Sequence, residues 1–95
     1  MIKSLSVVFP MYNEANRLFR TFKDIEKFKK LNFIKDIEYI FVDDGSTDNS
    51  IKKINDFFKN KKNFNFKVVK IKTNTGKGYA LKKGVIKAKK DWILT

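Results

Sequence analysis

Two adjacent aspartates, Asp43 and Asp44, follow an apolar stretch of this 95-residue chain and could take part in chemistry. Carboxylates at such a place can hold a metal ion, exchange protons, bind a ligand or cap the helix that follows. Successive side chains of a strand point to opposite faces, so the pair cannot easily converge on one ion. A carboxylate at a strand end can instead accept a hydrogen bond from an N–H group of a nucleotide base, worth about 1.5–3 kcal/mol. The pair therefore favours a ligand contact.

The two aspartates begin a loop, "DDGSTD" at 43–48, which we call the second loop. Its residues suit a turn before a helix. Gly45 permits the turn, and Ser46, Thr47 or Asp48 can cap a helix that begins near Asn49. We expect a structural role for these three residues, with Asp48 as the cap.

The first loop, "PMYNE" at 10–14, offers an aromatic ring beside a carboxylate. Pro10 ends the preceding strand and fixes the turn, and Tyr12 presents a flat face that can stack on a base. Glu14 can accept a hydrogen bond from a ribose hydroxyl. Alternatively, Glu14 is a first-turn acid that stabilises the helix dipole by about 0.3–1 kcal/mol. The loop alone leaves both interpretations open.

The third loop, "NTGKG" at 74–78, places Lys77 between two glycines. It is not a Walker loop, and it is not a GxGxxG motif because Leu81 occupies the third glycine position. Glycines at a helix N-terminus let backbone N–H groups and the Lys77 ammonium approach a phosphate. A plain flexible turn fits the same residues.

The elements that position these loops alternate between strand and helix patterns. The predicted strands are Leu5–Pro10, Tyr39–Val42, Phe66–Lys72 at a sheet edge, and a fourth strand in "DWILT". Apolar residues at steps of three and four predict helices at 14–28, 51–58 and 79–88. The order β-α-β-α-β-α-β predicts a Rossmann-like α/β fold, a parallel sheet with helices on both faces. Ligands bind beyond the carboxyl ends of such strands, where all three loops should meet.

The composition fits a single domain over residues 1–95, with 42% hydrophobic and 34% charged residues. The absence of cysteine and histidine excludes disulfides and imidazole chemistry, and fits the cytoplasm. The formal charge of +12 comes from scattered lysines, which favours non-specific electrostatics. Attraction to an anionic membrane or a phosphorylated substrate is an alternative, and specific nucleic-acid binding is disfavoured.

Three segments resemble the family 2 inverting glycosyltransferases, which have the GT-A fold. They are "SVVFPMYNEANRL", "YIFVDDGSTDNS" and "NTGKGYALKKGVIKAKKDWILT". Within the family, the chain is most similar to polyprenyl-phosphate sugar transferases such as dolichyl-phosphate mannose or glucose synthases. The resemblance implies the nucleotide-sugar-binding half of an enzyme that transfers a sugar from a UDP- or GDP-sugar to a polyprenyl phosphate or a glycan.

The resemblance also implies roles for matching residues. The implied nucleotide-binding set is Pro10, Tyr12, Glu14, Phe41, Asp43, Asp44 and Lys77. Tyr12 would lie against the base and Glu14 near the ribose. Asp43 would accept a hydrogen bond from the base with Phe41 beside it, and Asp44 would support the turn or the pocket. Lys77 would lie near the edge of the nucleotide.

Two further positions and the end of the chain carry implications from the same resemblance. Gly84 would allow close packing of helix on sheet, and Asp91 would be structural. The family's Asp-x-Asp motif, which binds Mg²⁺ or Mn²⁺, should begin where this chain ends, at Thr95. We therefore expect no metal and no catalytic residue here, and interpret the chain as a truncated product, a fragment or half of a split protein.

The partners expected from these observations are a nucleotide or nucleotide-sugar, and either a second copy or a C-terminal half. Peripheral contact with the inner face of a membrane is a further expectation. The alternative function is a vestigial module that only binds or self-associates, without catalysis.

Overall fold

A four-stranded parallel sheet with three helices forms the part of the chain that the computed structural model describes, residues 3–95. Met1 and Ile2 of the predicted domain lie outside the described residues. The elements are β1 Ser4–Met11, α1 Leu18–Leu31, β2 Asp36–Asp44, α2 Ser50–Phe58, β3 Asn65–Ile71, α3 Lys77–Lys87 and β4 Trp92–Leu94. The strand order is β3-β2-β1-β4, and every pairing is parallel. The predicted α/β fold and the edge position of the third strand are confirmed.

The strand register brings the three loops to one edge of the sheet. β1 pairs with β2 up to Met11 opposite Asp43. β2 pairs with β3 up to Asp44 opposite Ile71. Because these carboxyl ends are level, the first, second and third loops leave the sheet side by side, as the alternation of elements predicted.

Helices cover both faces of the sheet, and each face has its own apolar core. One core lies under α1 and α2 and includes Phe41 and Ile54, both without solvent exposure. The other lies under α3 and includes Ile40, Val42 and Ala80. Alternate residues of β2 therefore enter opposite cores, as a pleated strand covered on both faces requires.

The structure corrects two predicted boundaries near the first loop. β1 continues through Pro10, which was expected to end it, to Met11. β4 pairs with β1 only as far as Val7, so in the described residues β1 has a free side at Pro10 and tolerates a residue without an N–H group. α1 begins at Leu18 rather than Glu14 and extends past Phe28 to Leu31.

Gly84 lies where α3 crosses the sheet. A Cβ atom at this position would come within 2.3 Å of Val8 Cγ1 and 2.9 Å of Val42 Cγ2. Both valines belong to the core under α3. The role implied for Gly84, close packing of helix on sheet, is confirmed.

A buried carboxylate, Glu38, organises the amino end of the sheet. Its side chain is 2% exposed and accepts hydrogen bonds from Ser6 Oγ at 2.5 Å and the Lys89 N–H at 2.7 Å. Lys67 Nζ lies 3.3 Å from the other carboxylate oxygen. Burial, the largest influence, raises the pKa of Glu38, but these bonds and the Lys67 charge together lower it below the usual value. The carboxylate thus ties three strands to the segment before β4.

Two further hydrogen bonds attach this segment to β1. The Lys90 N–H donates to Ser6 Oγ at 3.2 Å, and the Asp91 N–H donates to Ser4 Oγ at 3.0 Å. The backbone of Asp91 thus has a structural role, while a role for its carboxylate stays a prediction. Among the helices described between residues 3 and 95, none is long and apolar enough to cross a membrane.

Candidate functional site

A pocket of about 170 Å³ opens at the carboxyl edge of the sheet, where the three loops meet. Its walls include five of the seven residues proposed to bind a nucleotide: Pro10, Tyr12, Glu14, Asp44 and Lys77. Met11, Asn74 and Ala80 complete the walls. The structure brings these five together from three separate loops, while their binding role stays a prediction.

The other two predicted residues, Phe41 and Asp43, are not among the residues that form the pocket walls. The Phe41 ring is fully buried, with its centroid 5.0 Å from that of Phe9. It reaches a neighbouring depression that shares Pro10 and Glu14 with the pocket. Asp43 is 3% exposed and follows Phe41 on the same face of β2. The two residues are therefore neighbours, as expected, and both are buried.

Asp43 has one oxygen engaged and one without a partner. Oδ2 accepts a hydrogen bond from the Ser46 N–H at 3.2 Å. Oδ1 is buried and has no hydrogen-bond partner in the described part of the chain. A buried polar atom without a partner typically costs about 1–3 kcal/mol, so native proteins rarely keep one without a reason. A ligand N–H group would remove this cost.

Asp44 points to the opposite face and holds the third loop. Oδ1 accepts hydrogen bonds from Thr75 N–H at 2.8 Å and Thr75 Oγ1 at 2.7 Å, and Oδ2 accepts from Gly76 N–H at 2.8 Å. Burial, the largest single influence, opposes ionisation, but the bonds together lower the pKa of Asp44 below the usual aspartate range. Asp44 thus supports the third loop, while its place in the nucleotide-binding set stays a prediction.

Gly45 allows the second loop to touch the third. Its φ angle is +78°, and a Cβ atom there would lie 2.7 Å from Asn74 N. No L side chain fits so close to backbone, so this contact requires glycine. The predicted function of Gly45 in the turn thus extends to the packing of the two loops.

The acidic residues do not fit a divalent metal. Asp43 and Asp44 point to opposite faces of β2, and both Asp44 oxygens already accept backbone hydrogen bonds. Within residues 3–95, no three acidic side chains come close enough to hold an ion together. The geometry therefore supports no reaction step through a metal on these side chains.

Asn13 holds the first loop against the second, a role that the sequence analysis missed. Its Oδ1 accepts hydrogen bonds from the N–H groups of Thr47 at 2.8 Å and Asp48 at 3.2 Å. Its own N–H donates to Ser46 Oγ at 2.9 Å. Its φ angle is 51°, in the left-handed region that asparagine tolerates better than most residues. The signal in the sequence that could have indicated this role is the presence of an asparagine in the loop.

Asp48 fastens the same two loops and is only partly the helix cap that we predicted. The cap position of α2 is Asn49, whose side chain makes no capping bond, while Asp48 Oδ1 accepts from the first helical N–H, that of Ser50, at 3.0 Å. Its Oδ2 accepts from Ala15 N–H at 3.2 Å. Burial, the largest influence, raises the pKa of Asp48, but the bonds from the Ser50 hydroxyl and from the N–H groups of Ser50 and Ala15 together lower it below the usual aspartate value. The aspartate thus serves tertiary structure as well as the helix.

Glu14 keeps its carboxylate near the pocket because it lies outside α1. Its backbone carbonyl accepts from the N–H groups of Arg17 and Leu18, and its N–H donates to Ser50 Oγ at 3.1 Å. These bonds form a turn before the helix, so the alternative of Glu14 as a first-turn acid is wrong. Arg17 Nη1 lies 3.7 Å from the Glu14 carboxylate.

The outer wall of the pocket is open to solvent. Tyr12 is 44% exposed, and Lys77 is an exposed residue at the start of α3. A Cβ atom at Gly76 or Gly78 would meet no other atom within 4 Å. A ligand could therefore approach the first N–H groups of α3 without displacing protein atoms.

Acid titration should reveal the hydrogen bonds to Asp44 in the amide proton shifts of Thr75 and Gly76. Because the folded pKa is lowered, ionised Asp44 stabilises the loop above the usual aspartate pKa, and the stabilisation is lost as the pH falls through the lowered pKa. NMR should therefore show both amides titrating with a midpoint below about 3.9. Thr75→Val, which removes the hydroxyl donor, should raise that midpoint. An unchanged midpoint in the variant would contradict this account.

Comparison with known proteins adds sequence relatives that extend well beyond this chain. The model for glycosyl transferase family 2 matches residues 6–95. A dolichyl-phosphate beta-glucosyltransferase of Dictyostelium discoideum is 34% identical over 94 residues, 95% of this chain and 29% of that protein. A poly-beta-1,6-N-acetyl-D-glucosamine synthase of Staphylococcus epidermidis is 30% identical over 93 residues, 98% of this chain and 21% of that protein. The chain thus spans less than a third of the length of these relatives.

Solved structures share the same arrangement of strands and helices. S. aureus TarS 1–349 in complex with UDP has a TM-score of 0.80 and 27% identity, covering 96% of this chain and 26% of that chain. The mannosyltransferase PcManGT from Pyrobaculum calidifontis, in complex with GDP-Man and Mn²⁺, has a TM-score of 0.80 and 21% identity, covering 94% of this chain and 25% of that chain. The predicted GT-A type of fold is confirmed.

Proposed function

This chain belongs to glycosyl transferase family 2, and on that premise we propose that its three loops bind the nucleotide of a sugar donor. The free, buried Oδ1 of Asp43 is the observation that carries this proposal. An N–H group on the edge of a base would give that oxygen its missing partner. The hydrogen bond would be charge-assisted and shielded from water, which makes it strong and directional.

The geometry favours a uracil base over guanine. Oδ2 of Asp43 is already bonded to the Ser46 N–H, so only Oδ1 is free to accept. Uracil presents a single N–H on the edge that a carboxylate can approach. Guanine presents two adjacent donors that pair best with both oxygens of a carboxylate. We therefore propose a UDP-sugar as the donor, with a GDP-sugar as the weaker ligand.

The pocket walls provide partners for the rest of the nucleotide. The exposed Tyr12 can cover one face of the base, and Glu14 can accept a hydrogen bond from a ribose hydroxyl. Lys77 and the first N–H groups of α3 can approach a diphosphate, since helix N-termini favour anions. Tyr12 and Glu14 lie on the first loop, Asp43 on the second and Lys77 on the third, so the ligand would tie the three loops together.

The reaction that this site would serve is sugar transfer with inversion. An acceptor oxygen would form a bond to the anomeric carbon while the bond from that carbon to the nucleoside diphosphate breaks, and the diphosphate would leave with the electron pair. A polyprenyl phosphate or a glycan is the proposed acceptor, because the relatives' names include both a dolichyl phosphate and a glucosamine polymer. A polyprenyl phosphate would place the chain in the cytoplasm at the inner face of a membrane. In this proposal the chain contributes donor binding, while metal binding and acceptor activation are the work of other parts of a complete enzyme.

Calorimetry with UDP, GDP and ATP tests the proposal on the purified chain. We expect UDP to bind most tightly. Asp43→Asn should weaken UDP about tenfold to a hundredfold, because it removes a charge-assisted bond of about 1.5–3 kcal/mol. Asp56→Asn, an exposed aspartate on α2, is the matched control and should leave affinity unchanged. Equal UDP affinity for wild type and Asp43→Asn would refute the base contact, and no nucleotide binding by wild type would refute the proposal.

A further inference from the structure

The outward side of α3 carries apolar and basic side chains together. Tyr79, Lys82, Lys83 and Ile86 surround one shallow depression on the surface. Their spacing of three, four and seven residues puts them on one side of the helix, away from the buried Ala80 and Gly84. Tyr79 is 46% exposed and Ile86 is 66% exposed. We call these four residues the α3 outer face.

The charge of α3 has one sign. The helix contains four lysines, at 77, 82, 83 and 87, and no acidic residue. Lys83 Nζ lies 5.6 Å from the centre of the Tyr79 ring, so the ammonium and the aromatic face share one surface. Lysine stems can lie along apolar surface while their charges reach outward to anions. This outer face therefore offers an anionic partner both charge and apolar area.

We propose that the α3 outer face binds an anionic lipid surface. Helices that lie in a membrane interface pair lysines with aromatic and aliphatic side chains, which enter the boundary between headgroups and acyl chains. Both ingredients are present here, and the charge complements anionic headgroups. A nucleic acid would use the lysines and could stack on Tyr79, but it would gain nothing from the two-thirds-exposed Ile86. The apolar component therefore favours lipid.

Such binding has a consequence that rests on the proposed function. Lys77 and Ala80, on the first turn of α3, line the nucleotide pocket. From Lys77 to Lys87 the helix is about 15 Å long, at 1.5 Å per residue. A membrane that touches the outer face would thus lie within about that distance of the bound donor. A lipid-phosphate acceptor could then reach the donor sugar without leaving the bilayer.

Co-flotation with vesicles, without any nucleotide, tests lipid binding separately from the proposed function. Wild type should bind phosphatidylcholine vesicles that contain about 30% phosphatidylserine, which makes their surface strongly anionic. It should not bind vesicles of pure phosphatidylcholine. Lys82→Gln with Lys83→Gln should reduce the partition coefficient on the order of tenfold or more. Lys27→Gln with Lys30→Gln removes two exposed lysines from α1 and is the control of equal charge. Equal losses in both double variants would overturn the assignment to α3.

A second pair of variants tests the apolar contribution. Ile86→Gln should weaken binding to the anionic vesicles several-fold, whereas Phe33→Gln, at a side chain 73% exposed elsewhere, should not. Nucleotide affinity, measured by calorimetry, should be unchanged in all four variants, since none of the residues lines the pocket. Binding that is indifferent to Ile86→Gln, or tighter to single-stranded RNA than to the vesicles, would refute a lipid surface as the partner.

Discussion

Replacing Glu38 with alanine is expected to lower the free energy of unfolding by about 3 kcal/mol. The change removes a 2%-exposed carboxylate that accepts from Ser6 Oγ and the Lys89 N–H and pairs with Lys67. Breaking a buried charge pair typically costs about 3–5 kcal/mol. The lower end applies because the Lys67 side chain is 32% exposed and can turn to water. Urea denaturation followed by circular dichroism at pH 7 measures the effect.

Two control variants separate the hydrogen bonds of Glu38 from its charge. Glu38→Gln keeps an acceptor for Ser6 or Lys89 and should lose less than Glu38→Ala. Lys67→Ala leaves the carboxylate with two donors and should cost less still, because only the partly exposed ion pair is lost. The test is the expected order of destabilisation, which is largest for Glu38→Ala, smaller for Glu38→Gln and smallest for Lys67→Ala. A loss for Lys67→Ala equal to that for Glu38→Ala would show that the ion pair, rather than the hydrogen bonds, matters.

The acid response of Glu38 provides an independent check. Its folded pKa is lowered, so ionised Glu38 contributes stability above the usual glutamate pKa, and this contribution is lost as the pH falls through the lowered value. The stability difference between wild type and Glu38→Gln should therefore shrink when denaturation is repeated below about pH 4. A constant difference would mean that the charge of Glu38 is not what stabilises the sheet.

The features that could be predicted from the sequence are those that local residue patterns determine. The change from β-branched runs to apolar steps of three and four predicts each strand and helix, and the alternation of the two predicts a parallel sheet. From that sheet, the meeting of the three loops at one edge follows by topology alone. The opposite directions of Asp43 and Asp44 follow from the pleat of a single strand. None of these inferences needs a partner far away in the chain.

The features that the sequence did not predict depend on partners far apart. Glu38 stands just before the predicted strand Tyr39–Val42, and its hydrogen-bond partners are 32 and 51 residues away. Asn13 bonds to residues 33 to 35 positions later. The start of α1 is set by a turn at Glu14, which Ser50 holds in place. Local periodicity contains no information about such pairs, so boundaries and polar networks needed the three-dimensional structure.

The candidate site also combines features that local patterns predict with features that depend on distant partners. The residue types of Tyr12, Glu14 and Lys77 suit a nucleotide, and the topology brings them to one pocket. The division of work between the two aspartates was only outlined by the resemblance. The hydrogen bonds give it a physical basis, because Asp44 is saturated by the third loop while Asp43 keeps one buried oxygen free.

Replacing Gly84 with alanine should destabilise the fold by about 2 kcal/mol, although alanine is the better helix former. A Cβ atom there would overlap Val8 Cγ1 at 2.3 Å and crowd Val42 Cγ2 at 2.9 Å. Val8 is 1% exposed in a strand bonded to neighbours on both sides, so it cannot move aside cheaply. Overpacking of this kind costs about 1–3 kcal/mol, more than the gain of up to about 1 kcal/mol in helix propensity.

Gly78→Ala is the matched control for this prediction, because it makes the same change in the same helix. A Cβ atom at Gly78 meets nothing within 4 Å, so the variant should show only the gain in helix propensity and be slightly stabilised. Adding Val8→Ala to Gly84→Ala opens space for the new methyl group, so the double variant should be more stable than the two separate losses predict. Urea denaturation of wild type, Gly84→Ala, Val8→Ala and the double variant measures this coupling. Strict additivity, or a stabilising effect of both glycine variants, would mean that α3 does not pack on Val8 through Gly84.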